Sequence, residues 1–329
     1  MKSLVTGATG FLGAALARRL LERGDDVSLF QRGDSPELQA IGAIVHRGDL
    51  RDREAVRHAT RGADVVFHGA AKVGTWGTPD DFDAINVRGT EHVVAACRVN
   101  GVRRLVFTSS ASVVFGRDDL HGVNESAPYT EAALSDYART KAQAERVALA
   151  ACGGDLASVA LRPHLVWGPG DPQLIGRLVQ RVRQGSVRLV GDGQNLIDST
   201  YIDNAVDAHI LADERLAADT VCHGKPYFIT NGEPLPLAQL VNSILEAGEL
   251  PRVAGSVSPR VAYAVAAVAE AIHRLFRLEA EPPLTRFIVR ELVASHWFDI
   301  SAARRDLGYE PAVSIAVGLQ RLRESFFPP

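Results

Sequence analysis

Tyr137 and Lys141 stand four residues apart in "SDYARTKAQAE", a stretch patterned as a helix, so both side chains fall on one helix face. A free tyrosine titrates at about pH 10 and shuttles protons poorly near neutrality. A cation one turn away favours the phenolate and lowers that value. A serine pair, Ser109 and Ser110, closes the apolar run in "LVFTSSASVVFG". In an α/β sheet such a strand end opens on the crevice where ligands bind. Hydroxyl, phenol and ammonium together suit proton exchange. No cysteine or histidine cluster with metal-ligand spacing accompanies them, and the three cysteines, Cys97, Cys152 and Cys222, are far apart, which indicates neither a disulfide framework nor a metal site.

A second constellation lies at the start of the chain. "LVTGATGFLGAALARRLLERG" passes from an apolar strand through Gly7, Gly10 and Gly13 into an amphipathic helix. Gly7 allows the tight turn, Gly10 lets backbone approach a pyrophosphate, and Gly13 lets the helix pack closely. The anion then rests on the free N–H groups of the first helical turn, around Phe11 and Leu12. The second strand ends in "SLFQRG", with Gln31 where a ribose-binding carboxylate would stand and Arg32 beside it. A guanidinium with no neighbouring carboxylate suits a 2′-phosphate, so the expected cofactor is NADP(H). Asp49, after the third strand, is placed to accept from the adenine amino group.

These residues require a scaffold, and the element pattern supplies one. Strand-like runs "KSLVT", "DVSLF", "AIVHRGDL", "ADVVFHGAA", "VRRLVFTSS" and "LASVALRP" alternate with helical stretches, including 80–99 and about 132–152. Short apolar strands separated by helices predict an α/β fold, a doubly wound parallel sheet of Rossmann type. The nucleotide-binding domain is expected over 1–165, rejoined by about 198–230 through "STYIDNAVDAHILA", and 166–329 should form mainly a smaller, interleaved substrate-binding region.

With "TGATGFLG", "GDL", "HGAA", "NVRGT", "TSSASVVFG", "YARTK", "LRPHLVWGPGD" and "YIDNAVDA" in place, the chain resembles the extended short-chain dehydrogenase/reductases over essentially its whole length. The resemblance implies that Tyr137 exchanges the proton, Lys141 tunes it and binds the nicotinamide ribose, and Ser110 holds the reacting carbonyl. Ser109 would be structural, as would Asn86. It adds Leu50, Ala70, Ala71 and Pro163 to the cofactor contacts. Sugar-nucleotide members resemble "GDGxQxRDFxYVxD", whereas this chain reads "GDGQNLIDSTYID" with Ile197 at the arginine position. That departure argues against a nucleotide-sugar substrate.

"AAKVGTWG", "PPLTR" and "HWFDISAARRDLGYEP" look like the 3β-hydroxysteroid dehydrogenase branch. Within it the chain is most similar to bacterial 2-alkyl-3-oxoalkanoate reductases of long-chain olefin biosynthesis, which implies NADPH-dependent reduction of a hydrophobic β-keto acid. A 4-carboxysterol 3-dehydrogenase is the alternative, and a non-catalytic NADP(H) sensor would not need Ser110, Tyr137 and Lys141 together. Lys72 and His164 are candidates for the substrate carboxylate, with a surface lysine and a core histidine as the other readings. Trp76, Trp167 and "VAYAVAAVAEAIHRLF" are candidates for an alkyl channel, or else plain core.

At 329 residues with a net charge of −3, nothing favours nucleic acid or an acidic membrane surface. The run "VAYAVAAVA" is too short to span a membrane and is expected to be a core or lid helix, with a membrane-touching helix as the alternative. A strand beginning at residue 2 leaves no room for a leader, so a cytoplasmic protein is expected. By resemblance a homodimer is expected, and association with other enzymes of the same pathway is plausible.

Overall fold

Seven strands form one parallel sheet: β1 (Lys2–Thr6), β2 (Asp26–Gln31), β3 (Ile44–Arg47), β4 (Val65–His68), β5 (Arg104–Thr108), β6 (Ala157–Pro163) and β7 (Pro226–Ile229). The computed structural model describes the whole chain except residues 117, 131, 132, 134, 186, 279, 328 and 329. The spatial order β7-β6-β5-β4-β1-β2-β3 reverses direction between β1 and β4. Such a reversal leaves a crevice at the carboxyl ends of the two strands.

Near-continuous apolar strands are needed because both faces of the sheet are covered. Leu4, Val66 and Leu105 point to one core, and their neighbours Val5, Phe67 and Val106 to the other. Against the first core pack α2 (Gly89–Val99) and α3 (Asp136–Ala150), through Val93, Ala96, Cys97, Ala144 and Ala148. Against the second pack α1 (Phe11–Glu22) and α4 (Ile202–Ala218), through Leu16, Ala17, Leu20, Val206, Ala208 and Ala212. Thus the segment from α4 to β7 returns to the main sheet after an excursion through the C-terminal half.

Two helices differ from the expected spans. The helix expected over 80–99 is a short α-turn, Pro79–Phe82, then a π-turn, Asp83–Arg88, before α2 begins. The widened turn shifts the i→i−4 ladder and is common next to functional sites. Here it contains Asn86, whose carbonyl accepts from Thr90 Oγ1 at 2.6 Å. The other helix starts at Asp136, capped by Ser135, which accepts from Ala138 N. The expected start at Ala132 lies outside the described residues.

A charged pair sits in the interior between α3 and β6. Arg162 and Glu145 are 2% and 0% exposed at their side chains and meet at 2.6 Å, with Tyr129 Oη also donating to Glu145 at 2.7 Å. Burial of two opposite charges is tolerable only with this degree of pairing.

The C-terminal half adds a four-stranded sheet, ordered Leu235–Pro236, Leu196–Ile197, His296–Phe298, Leu120–Val123. Its last pairing draws the segment after Ser110 against the end of the chain. Two helices precede His296: α5 (Pro259–Leu275) and α6 (Arg286–Val293). Of the core and lid readings of α5, full core burial is not met. It packs through Ala262, Ala266 and Glu270, while Val261, Val265, Val268, Ile272 and Leu275 face outward. The two alanines permit close approach to α6, and Glu270 is held by Arg286 at 2.7 Å.

Candidate active site

The turn between β1 and α1 sits against the loop after β4. A Cβ at Gly7, whose φ is +82°, would lie 2.8 Å from backbone atoms of Ala70. One at Gly13 would lie 2.4 Å from Gly7 O. Both glycines are therefore required by backbone contact. Gly10 caps α1 without any side-chain hydrogen bond, leaving the first-turn N–H groups of Phe11, Leu12 and Gly13 without a capping side chain. Ala70 N donates to Thr6 Oγ1, which bonds buried His68. Burial pushes His68 down to about 3, so the ring is neutral. A bare helix N-terminus behind a glycine turn fits a dinucleotide pyrophosphate.

At the end of β2, Gln31 is buried, donating to Gly33 O and Ser35 Oγ, and Arg32 is exposed. Asp49 holds Arg51 through two side-chain bonds of 2.9 and 2.8 Å, and Arg32 is near enough to help hold the carboxyl below its usual range, although Arg51 contributes most. Two guanidinium groups thus surround the carboxylate expected to meet adenine. Leu50 packs in the core beside Gly89, and His92 Nδ1 meets its carbonyl oxygen at 2.8 Å.

The loop after β4, which carries Ala70, Ala71 and Lys72, is laced to α3 by one amide. Asn86 Oδ1 accepts from Lys72 N at 2.7 Å, and Asn86 Nδ2 donates to Lys72 O and to Thr140 Oγ1. Thr140 lies between Tyr137 and Lys141, so Asn86 joins the phosphate side of the crevice to the helix bearing the phenol.

Ser110 stands in the turn after β5, where its Oγ accepts from Ser112 N and Ser112 Oγ. Its hydroxyl also interacts with the phenol of Tyr137. Burial raises the titration of Tyr137, and the Ser110 interaction opposes this. Lys141 is buried, donates from Nζ to Thr108 O at 2.6 Å and lies 4.3 Å from the Phe107 ring centroid. Burial brings it down to about 7. The expected lowering of the tyrosine by its lysine is therefore not expressed in this structure, since desolvation dominates both groups. Ser109 Oγ is buried without a partner among the described residues, and its N–H donates to Leu161 O.

The substrate candidates separate. Lys72 faces Asp81 at 3.9 Å and lies 5.2 Å from the Phe82 ring centroid. His164 is enclosed: its Nε2 meets His296 Nδ1 at 2.8 Å, and His296 Nε2 meets Glu291 O at 2.9 Å. The carbonyl must accept from His296, so His164 donates to the free nitrogen of that ring. Burial keeps both rings on the neutral side. His164 thus supports the wall and does not present itself to a carboxylate. Trp76 donates to Leu278 O and packs edge-on against His273, fastening the loop after β4 to the end of α5. Trp167 is fully buried and donates to Ser199 Oγ, which makes it core. Ile197 is equally buried, paired with Leu235 and His296. Pro163 ends β6 opposite Ile229.

A narrow cleft beside this wall has one side formed by Phe287, Arg290, Glu291 and Ala294 of α6 and its end. Phe115, Gly116, Asp118 and Leu120 form the other side, with Ser295 and His296 below. Glu291 is close enough to act electrostatically on Tyr137. Sequence reading singled out no residue of α6 in this lining. The 287-290-291-294 spacing marks one helix face, but not which face meets the site.

Fold, family and relatives together define the class as a nicotinamide-dinucleotide oxidoreductase of Rossmann type. The chain belongs to the 3-beta hydroxysteroid dehydrogenase/isomerase family, whose model matches residues 4–255. It is 52% identical over 327 residues to a 2-alkyl-3-oxoalkanoate reductase of Stenotrophomonas maltophilia, covering 99% of both chains. A protein of the same name from Shewanella oneidensis is 46% identical, covering 98% of this chain and 86% of that one. A mouse (Mus musculus) sterol-4-alpha-carboxylate 3-dehydrogenase, decarboxylating, is 33% identical, covering 99% and 91%. Among solved structures, MoeE5 in complex with UDP-glucose and NAD superimposes with a TM-score of 0.77 at 27% identity, covering 99% and 98%. Among the described residues, no helix is long and apolar enough to cross a membrane.

Proposed function

We propose that the protein reduces the 3-keto group of a long-chain 2-alkyl-3-oxoalkanoic acid to the 2-alkyl-3-hydroxy acid, using NADPH. The observation that carries this reading is the identity of 52% and 46% to two reductases of that name, in a chain that places Ser110 and Tyr137 together after β5. A proton donor must arrive protonated, as a tyrosine with its ordinary value of about 10 does at neutral pH. A nicotinamide bound in the crevice would supply a hydride to the carbonyl carbon and leave oxidised. As the C=O π pair moves to oxygen, Ser110 stabilises the developing negative charge. Tyr137 Oη–H then gives its proton to that oxygen, and the phenolate regains one from solvent.

Preference for NADPH is supported by Gln31, an amide where a ribose-binding carboxylate would end β2, and by the exposed Arg32 next to it, although the Asp49 carboxylate lies within electrostatic reach of that guanidinium. The homologous sterol enzyme makes a 4-carboxysterol with NADP⁺ the natural comparison substrate. The test follows NADPH absorbance with a long-chain 2-alkyl-3-oxo acid, with NADH and the sterol reaction as comparisons. NADPH oxidation that falls by about 10²-fold or more in Tyr137→Phe is expected. Sterol oxidation without keto-acid reduction would replace the reading.

A further inference from the structure

Thr6, His68, Thr90 and Asn86 form one buried line that runs from the paired ends of β1 and β4 to the π-turn. Its hydrogen bonds have only one consistent direction. Asn86 O can only accept, so Thr90 Oγ1 spends its proton there, at 2.6 Å. Toward His68 Nε2, 3.0 Å away, Thr90 Oγ1 must then accept, which puts the ring proton on Nε2. Nδ1 is left bare and takes the proton of Thr6 Oγ1 at 2.8 Å. Thr6 Oγ1 in turn accepts from Ala70 N at 3.1 Å. Both ring nitrogens and both hydroxyl protons are thereby used. A second ring proton would leave the Thr6 hydroxyl without its acceptor. It would also set a cation across the Phe107 ring from Lys141, whose Nζ lies 4.3 Å from that ring's centroid, with the His68 ring at 5.6 Å.

We infer that His68 is a positioning residue, which through this line holds the loop after β4 where Ala70 and Ala71 would meet a nicotinamide dinucleotide; this rests on the cofactor part of the reading above and not on the substrate. The line grips that loop twice. Ala70 N is tied to Thr6, and Lys72 is tied through N and O to the side chain of Asn86, whose carbonyl ends the line. At Ala70 the loop runs so close to the glycine turn that a Cβ on Gly7 would lie 2.8 Å from its backbone. Asn86 Nδ2 also donates to Thr140 Oγ1, next to Lys141 on α3, so the same line sets the loop against the helix of the phenol. Packing alone does not call for a histidine here, since the rest of β4 is Val65, Val66 and Phe67. A fully satisfied polar line fixes one arrangement where an apolar contact would tolerate several.

The test breaks the line and measures binding by calorimetry, without turnover. Thr90→Val keeps the shape of the side chain and removes both of its bonds, whereas Thr90→Ser keeps the hydroxyl. His68→Phe fills the ring's space with neither donor nor acceptor. The ligands are NADP⁺ and its adenosine half, 2′,5′-ADP, for which Arg32 and Asp49 are the expected contacts. Thr90→Val and His68→Phe should each weaken NADP⁺ on the order of 10-fold and leave 2′,5′-ADP unchanged, because a released loop must be ordered by the cofactor itself. Thr90→Ser should bind both ligands as the wild type does. If neither broken variant folds, Thr6→Val against Thr6→Ser makes the same comparison from the other end of the line. A Tm that falls while NADP⁺ affinity holds, or equal weakening of both ligands, would make His68 a core residue only and overturn the assignment. If the wild type takes NAD⁺ in place of NADP⁺, the NADPH preference fails by itself, and the same split is read with NAD⁺ against ADP. A wild type that binds neither dinucleotide overturns both.

Discussion

Lys141 shows how much a single side chain is made to give up for its position. Burial lowers its folded-state value to about 7, below that of an exposed lysine. The unfolded chain therefore binds more protons through this group between pH 7 and the usual lysine range. Its contribution to stability rises with pH across that window and is withheld below it. Lys141→Met in cofactor-free protein should accordingly raise Tm at pH 7 by roughly 2–4 °C and remove this part of the pH dependence while abolishing turnover. Thermal unfolding at several pH values decides the matter. A lower Tm at pH 7 would show that the bond to Thr108 O outweighs desolvation. The Tyr137-Lys141 spacing was readable from the sequence because helix geometry dictates it. That Lys141 donates to a strand-end carbonyl was not, since this depends on how β5 and α3 pack. Lys72 shows the same limit. Whether a cation is paired or free depends on which distant carboxylates the fold brings near it, as Asp81 is brought to Lys72.

At the scale of elements, strands and helices were legible wherever one period dominated. All the main-sheet strands up to β6 appear as apolar runs, and the glycine turn falls where the backbone contacts of Gly7 and Gly13 demand it. The π-turn before α2 was hidden because Asp83–Arg88 carries ordinary helical residues; only its hydrogen-bond register distinguishes it. The outward valines of α5 were hidden for a related reason. An apolar stripe shows that a helix has a greasy side, and the alanines that settle its packing look unremarkable in sequence. Between α3 and β6 the Glu145–Arg162 pair fixes the helix bearing Tyr137 to the strand ending in Pro163. Glu145→Ala would leave a guanidinium and the Tyr129 hydroxyl buried without their acceptor. A loss of roughly 3–5 kcal/mol is expected, read from the denaturant midpoint. A loss under about 1 kcal/mol would mean that water reaches the pair.

On the scale of the whole molecule, the strand-order reversal gathers the glycine turn, the loop after β4 and the end of β5 at one crevice, while the C-terminal half adds the wall formed by α6. Contributions from so many separated segments mean that the site is complete only when both halves have folded together. The outer surface of α5 has a different, practical consequence. Its Val268 and Leu275 are 59% and 76% exposed in the native state. Dyes that fluoresce in apolar surroundings report unfolding by finding surface that the folded state conceals, and here a stripe is already on offer. Such a dye should be bright with folded protein, and Val268→Asp with Ile272→Asp should darken that baseline without moving the midpoint seen by circular dichroism. A baseline no brighter than that of an ordinary globular protein would mean the stripe is covered in solution. If the baseline is bright, melting curves read by dye alone will understate the cooperativity of this protein, and an intrinsic signal is the proper gauge of its stability.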